Sequence, residues 1–138
     1  MPEESTTPDL AELWQRSIDA LNARDFDAVL SFFAPHAVWE SPGVGVFEGH
    51  DAIRGFIEDW RGAYEDLEFA VEEIRDLGGD VGFSVAVQRG RMPGSTEWVK
   101  LRSPVISILA HGLVERVTVY TDIDEARAAA ERLAQERG

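Results

Sequence analysis

From Leu67 onward the apolar residues stop recurring every three or four positions and begin to alternate. Leu67, Phe69 and Val71 are interleaved with Glu68, Ala70 and Glu72, and Val81, Phe83, Val85 and Val87 with Gly82, Ser84 and Ala86. A period of two belongs to a strand with one buried face. The phase slips by one residue toward Ile74, as a β-bulge would make it, and bulges bend sheets. Gly78-Gly79-Asp80, Pro93-Gly94 and His111-Gly112 supply turns. Trp98 to Ala110 reads as a long strand whose apolar phase moves from Val99 and Leu101 to Ile106 and Ile108. Pro104 stands at that change, where its missing donor predicts a bulge or an interruption. Leu113 to Thr121 is the last strand.

Ahead of this stretch the spacing is helical. Thr7-Pro8-Asp9 has the composition of a helix start: a hydroxyl cap, a proline where no donor is needed, and an acid in the first turn. The stripe Leu10, Leu13, Trp14, Ser17, Ile18 and Leu21 follows. A short second helix, capped by Asp25, carries Phe26, Val29, Leu30 and Phe33 and is expected to end at Pro35. Ala37 to Ser41 and Val46-Phe47 read as short strands around Pro42-Gly43. His50-Asp51 opens a third helix with the stripe Ile53, Phe56, Ile57, Trp60 and Tyr64. Asp124 to Arg137 closes the chain as a helix with Ala126, Ala129, Ala130 and Leu133 turned inward. This order predicts an α+β fold in which a curved antiparallel sheet carries helices packed on its concave face and leaves a tapered cavity. Residues 1–7 are expected to be a flexible tail and residues 8–138 one domain, which the length of 138 residues suits.

Acidic residues outnumber basic ones 26 to 13, for a formal charge of −13, and no basic stripe runs along the chain. Phosphate backbones and anionic membranes are therefore poor partners. With no cysteine, disulfides and thiolate chemistry are excluded. No apolar run reaches the roughly 20 residues of a membrane span, and no secretion signal is visible, so a cytoplasmic location is expected. His36, His50 and His111 are scattered without ligand spacing, so neither a metal nor a cofactor is expected.

The run Ala20-Leu21-Asn22-Ala23-Arg24-Asp25-Phe26-Asp27, the pair Val38-Trp39, the run Phe47-Glu48-Gly49-His50-Asp51-Ala52-Ile53 and the ending Val117-Thr118-Val119-Tyr120-Thr121-Asp122 together resemble the nuclear transport factor 2-like superfamily in its SnoaL-like branch. The resemblance covers about Leu10 to Leu133 and implies a cone-shaped, cystatin-like α+β barrel. It also implies one of several activities in that cone, among them polyketide cyclisation, ketosteroid isomerisation, epoxide hydrolysis and dehydration. None of these cues is a catalytic signature. Where epoxide hydrolases of this fold carry Arg-x-Asp, the chain reads Arg89-Gly90-Arg91. Where they carry their base it has Val119, and their water-holding Tyr and Asn fall on Trp39 and Ser41. The resemblance therefore argues against that mechanism. An isomerase would need a carboxylate facing a tyrosine, and Tyr64 and Tyr120 are the only tyrosines. Tyr120 alternates with Val117 and Val119 and is expected to face away.

The residues expected to line the pocket are Ile18, Trp39, Ser41, Trp60, Tyr64, Phe69 and Val119, a set suited to a flat apolar or aromatic ligand. Arg89 shares the face of Phe83, Val85 and Val87. It is expected to reach either the ligand, which would then be an anion, or the rim. Asp122 is expected at the same end of the sheet, as a ligand-orienting partner of Arg89 or as a helix cap. The readings left open are a small-molecule-binding domain, a cyclase, isomerase or dehydratase working by proton transfer, and a dimeric scaffold with a filled cavity. A homodimer is expected through the outer sheet face, on which Trp98, Ile106 and Ile108 would otherwise be wet.

Overall fold

The computed structural model describes residues 10–138, so the helix start at Thr7-Pro8-Asp9 lies outside the described residues. The elements are α1 (Leu10–Asn22), α2 (Phe26–Ser31), β1 (Phe33–Ser41), β2 (Gly45–Glu48), α3 (His50–Gly62), β3 (Asp66–Gly78), β4 (Val81–Arg91), β5 (Val99–Ala110), β6 (Leu113–Val119) and α4 (Ile123–Arg137). The six strands form one curved sheet in the order β2-β1-β6-β5-β4-β3. All neighbours are antiparallel except β1 and β6. The fold is α+β, as the alternation implies.

Local chemistry sets the ends of the helices. Arg24, at φ 59°, turns the chain out of α1, the left-handed position that commonly closes a helix. The Asp25 carboxylate accepts the Ala28 amide at 3.1 Å and starts α2, and Asp122 accepts the Glu125 amide at 2.8 Å and starts α4. The second helix is shorter than its apolar spacing suggests. It stops at Ser31, and Phe33 and Pro35 already belong to β1. The register of β1 against β6 jumps between Phe33 and Val38, so the proline falls where pairing is interrupted.

The sheet buries both faces, and this explains two further departures. One core packs α1, α2 and α3 against β1, β3, β5 and β6 through residues such as Leu13, Ile18, Ile53, Ile57, Phe69 and Val117. The second packs α4 against the other side, joining Ala126, Ala130 and Ala134 to Val81, Phe83, Val85 and Ile106. The phase change along β5 is therefore a change of covering and involves no slip. Leu101, Ser103, Val105 and Ser107 share one face, Ile106 sits under α4 on the other, and pairing with β4 runs unbroken through Val85–Pro104. Pro104 is fully buried and accepts the Tyr120 amide at 2.8 Å. Its missing donor faces Tyr120, just past the end of β6, so the β5–β6 pairing ends there while the β4 ladder stays whole. The bulges lie elsewhere, at Val71/Glu73 and Asp76/Gly78 against β4 and at Ile108/Leu109 against β6.

On the outer face, α4 covers Ile106 within the chain, Ile108 is half-buried, and Trp98 precedes β5 with the Arg89 guanidinium 4.4 Å from its ring. The expectation that a monomer leaves these three side chains wet is corrected for Ile106.

Candidate functional site

Between the sheet and α1–α3 lies a cavity of about 910 Å³. Its closed end is formed by Trp14, Ser17 and Ile18 of α1 with Ser84, Val105 and Val117 of the sheet. Its aromatic wall descends from β1 through α3 to β3. Trp39 stacks on Phe33 at 5.9 Å and leans on Phe56 at 5.6 Å, Phe56 stacks on Trp60 at 5.7 Å, and Trp60 meets Phe69 edge-on at 5.0 Å. The mouth opens beside Pro42, Val44, Asp51, Gly55, Asp59 and Leu101. Val44 and Leu101 are 63% and 53% exposed there.

Phe69 is held by an unusual bracket. β3 is an edge strand, and its free peptide groups need partners. The Asn22 side chain supplies both, accepting the Phe69 amide at 2.8 Å and donating to its carbonyl at 2.9 Å. Beside it the buried Arg61 donates to the Leu67 carbonyl and, at 3.4 Å, to the Asn22 carbonyl at the end of α1. Burial, and secondarily the charge of Arg24, pushes the Arg61 pKa down. Arg61 does not line the cavity; it ties α1, α3 and β3 together.

Polar groups in the cavity are few and neutral. Trp39 donates its indole N–H to the Ser41 hydroxyl at 3.0 Å. Gln88 donates to the Tyr64 hydroxyl at 3.1 Å. At the closed end Trp14, Ser17 and Ser84 are all more than nine-tenths buried. Among the described residues the Trp14 indole N–H has no hydrogen-bond partner. The ionisable side chains on the cavity's border are the exposed Asp51 and Asp59 of α3, Tyr64, Arg102, which is engaged by Glu72 at 3.0 Å, and Tyr120, which reaches the border just past β6 against the expectation that it faces away. Among the described residues no group of three His, Asp or Glu side chains could hold a metal ion, and no helix is long and apolar enough to cross a membrane.

The structure brings Ile18, Trp39, Ser41, Trp60, Tyr64, Phe69 and Val119 together around this cavity. It does not bring in Arg89 or Asp122. Arg89 points from the opposite face, pairing with Glu68 at 3.3 Å and lying over Trp98. Asp122 is exposed and caps α4. The reason is parity. The large side chains of β4, Phe83 and Val85, pack under α4, and the small row Ser84, Ala86 and Gln88 faces the cavity. Smallness on that row is enforced by close approach: a Cβ on Gly82 would lie 2.7 Å from Leu10, and one on Gly90 would lie 2.8 Å from the Tyr64 ring. Phe56, Trp14, Ser17, Ser84 and Gln88 were missing from the expected set. The alternation of small residues in β4 was the available signal for Ser84 and Gln88.

The sequence matches the SnoaL-like domain family over residues 14–129. The chain belongs to that family. No curated protein sequence matches it, but solved structures of this SnoaL-like fold are numerous. A putative polyketide cyclase from Sinorhizobium meliloti is 26% identical, with 82% of this chain and 94% of that one covered and a TM-score of 0.66. RV0760c from Mycobacterium tuberculosis, in complex with estradiol-17beta-hemisuccinate, is 20% identical over 86% and 97% of the two chains, with a TM-score of 0.70. TerC co-crystallised with polyporic acid is 19% identical over 88% and 97%, with a TM-score of 0.72. In this SnoaL-like protein the inward residues at the end of β4 are Gln88 and Gly90, with Arg89 and Arg91 facing out. The ion pairs at that level, Arg89–Glu68 and Arg91–Asp66, do not line the cavity.

Proposed function

We propose that this SnoaL-like protein binds a small, flat, predominantly apolar molecule in its aromatic cavity, and that binding is its function. The observation that carries this reading is the combination of an open cavity of about 910 Å³, walled by Trp39, Phe56, Trp60 and Phe69, with polar groups inside it that are neutral. Such a space suits a drug-sized ligand held by apolar contact and oriented by a few hydrogen bonds. The ligands of TerC and of RV0760c, polyporic acid and estradiol hemisuccinate, support the same class of occupant. The scaffold reading needs a filled cavity, and this one is open. Proton transfer would have to run through Tyr64 or Tyr120, or through Asp51 and Asp59, carboxylates in water at the mouth, so binding is the better supported reading.

A homodimer and a cytoplasmic location are part of the same proposal. The partner would be a second copy, meeting the outer face of the sheet beside α4, which packs on β3, β4 and β5. Light scattering at micromolar concentration tests the dimer, and a mass near 15 kDa would reject it.

Trp14, Trp39 and Trp60 line the cavity, so ligand entry should quench intrinsic fluorescence. A stabilising ligand at a hundred times its Kd should add about 2.7 kcal/mol to unfolding. A panel of neutral polycyclic aromatics is expected to give quenching and thermal stabilisation together. Failure of every member to do either would overturn the binding reading.

A further inference from the structure

The polar groups in the cavity fall into two stations separated by an apolar stretch. The closed station holds the indole N–H of Trp14, buried without a partner among the described residues, and the serines Ser17 and Ser84. A buried polar group without a partner costs about 1–3 kcal/mol, so the orphaned Trp14 N–H, in a cavity also lined by two serines, marks where an oxygen of the occupant would be received. An indole N–H can only donate, and a serine can donate or accept. The group that satisfies this station is a carbonyl or hydroxyl oxygen.

The outer station is the pair Tyr64–Gln88, joined at 3.1 Å. When Gln88 donates its amide hydrogen, the Tyr64 O–H remains free to donate and the Gln88 carbonyl to accept. With the amide turned over, the roles exchange. Either way the pair offers the ligand one donor and one acceptor, the requirement of a hydroxyl or a carbonyl.

Ser84 and Gln88 are four residues apart on one strand and share its cavity face, a separation of about 13 Å at the rise of a β-strand. Between them the row offers only Ala86, facing Val71 across the strand pair. We propose that the cavity reads the two ends of an elongated neutral aromatic molecule separately, with Trp14, Ser17 and Ser84 binding an oxygen at the closed end and Tyr64–Gln88 a second oxygen near the mouth. The length between stations corresponds to a rigid occupant of about three linked rings, within the size that such cavities enclose. This inference rests on the binding reading above and adds ligand length, polarity and specificity residues to it.

The test uses three probes, 4,4''-dihydroxy-p-terphenyl, 4-hydroxy-p-terphenyl and 4,4'-dihydroxybiphenyl, with Kd measured by tryptophan quenching on the full chain. The long diol is expected to bind about tenfold more tightly than the long mono-alcohol, the effect of one additional net hydrogen bond. The short diol, unable to span both stations, should bind no better than the mono-alcohol. Ser84→Ala and Gln88→Leu should each cost the diol about tenfold, and the double variant should bind diol and mono-alcohol alike. Ser17→Ala replaces Ser84→Ala if that variant does not fold. Equal affinity of diol and mono-alcohol for the wild-type protein, or undiminished diol affinity in both single variants, would overturn the two-station inference while leaving binding intact. No binding of any probe would overturn both.

Discussion

Arg127 of α4 grips both carboxylate oxygens of Glu73 on β3, at 2.7 and 3.2 Å, and its guanidinium lies 4.7 Å from the centre of the Phe83 ring. Arg75 adds a third hydrogen bond to the same carboxylate at 2.7 Å. First Arg127 and then Arg75 hold the Glu73 pKa at about 2, against an ordinary 4.5. A depressed carboxylate stabilises the fold above its unfolded pKa and loses that contribution as pH falls toward the folded value. Wild-type protein should therefore be more stable than Glu73→Gln above about pH 4.5, and the difference should shrink steadily toward pH 2. Urea titrations of the two proteins at a series of pH values check this. A difference that stays constant from neutral pH to pH 2 would show that the carboxylate is not held by these arginines.

A glycine bordering the cavity and one packed against Tyr64 should respond oppositely to alanine. At Gly55, inside α3, an added Cβ meets nothing within 4 Å, so Gly55→Ala should stabilise by up to about 1 kcal/mol through helix propensity and a less flexible unfolded chain. At Gly90 the same methyl would stand 2.8 and 2.9 Å from two ring carbons of Tyr64. Gly90→Ala should therefore lower stability and push Tyr64 away from Gln88, with an overpacking cost of about 1–3 kcal/mol. Thermal unfolding reads both signs.

Trp39→Ala should cost more than Tyr64→Phe. The indole stacks on Phe33, leans on Phe56 and bonds Ser41. Because it already faces open space, its removal should fall at or below the lower end of the roughly 3–5 kcal/mol typical of a buried Trp→Ala change. Tyr64→Phe removes one hydrogen bond, with Gln88, worth about 0.5–1.5 kcal/mol. Equal unfolding free energies for the two variants would show that the Trp39 contacts contribute little.

Much of this fold could be read in the alternation of apolar residues, because a one-sided strand must keep a period of two. Val81, Phe83, Val85 and Val87 announced a strand, and the Leu10–Leu21 stripe a helix. What the spacing could not say is which cover each face receives. Phe83 and Val85 look like lining for a cavity until α4 is seen to bury them from the other side, and the same ambiguity made a continuous β5 look broken at Pro104. Aromatic lining residues were legible because Trp39, Trp60 and Phe69 are apolar whichever cover they meet. The polar stations were not, since Ser84 and Gln88 acquire meaning only when the small row of β4 is known to face the cavity.

That reversal fixes what charge should do to binding. A row one residue out of phase would have put the Arg89 guanidinium in the cavity, where it would favour aromatic acids. Instead Arg89 pairs with Glu68 and lies over Trp98, and the cation that does reach the rim, Arg102, is engaged by Glu72. The mouth carries Asp51 and Asp59 on a chain of formal charge −13. Long-range repulsion is screened beyond about 8 Å in physiological salt, but those two carboxylates stand within reach of anything entering. An aromatic acid should therefore bind no better than its amide, and worse at low salt. Arg89→Gln should leave the affinities of acid and amide unchanged while costing about 0.5–1 kcal/mol of stability through the lost contact with Trp98. Paired acids and amides in a thermal-shift series, with and without the substitution, decide it. A preference for acids that disappears in Arg89→Gln would place that arginine back in the site.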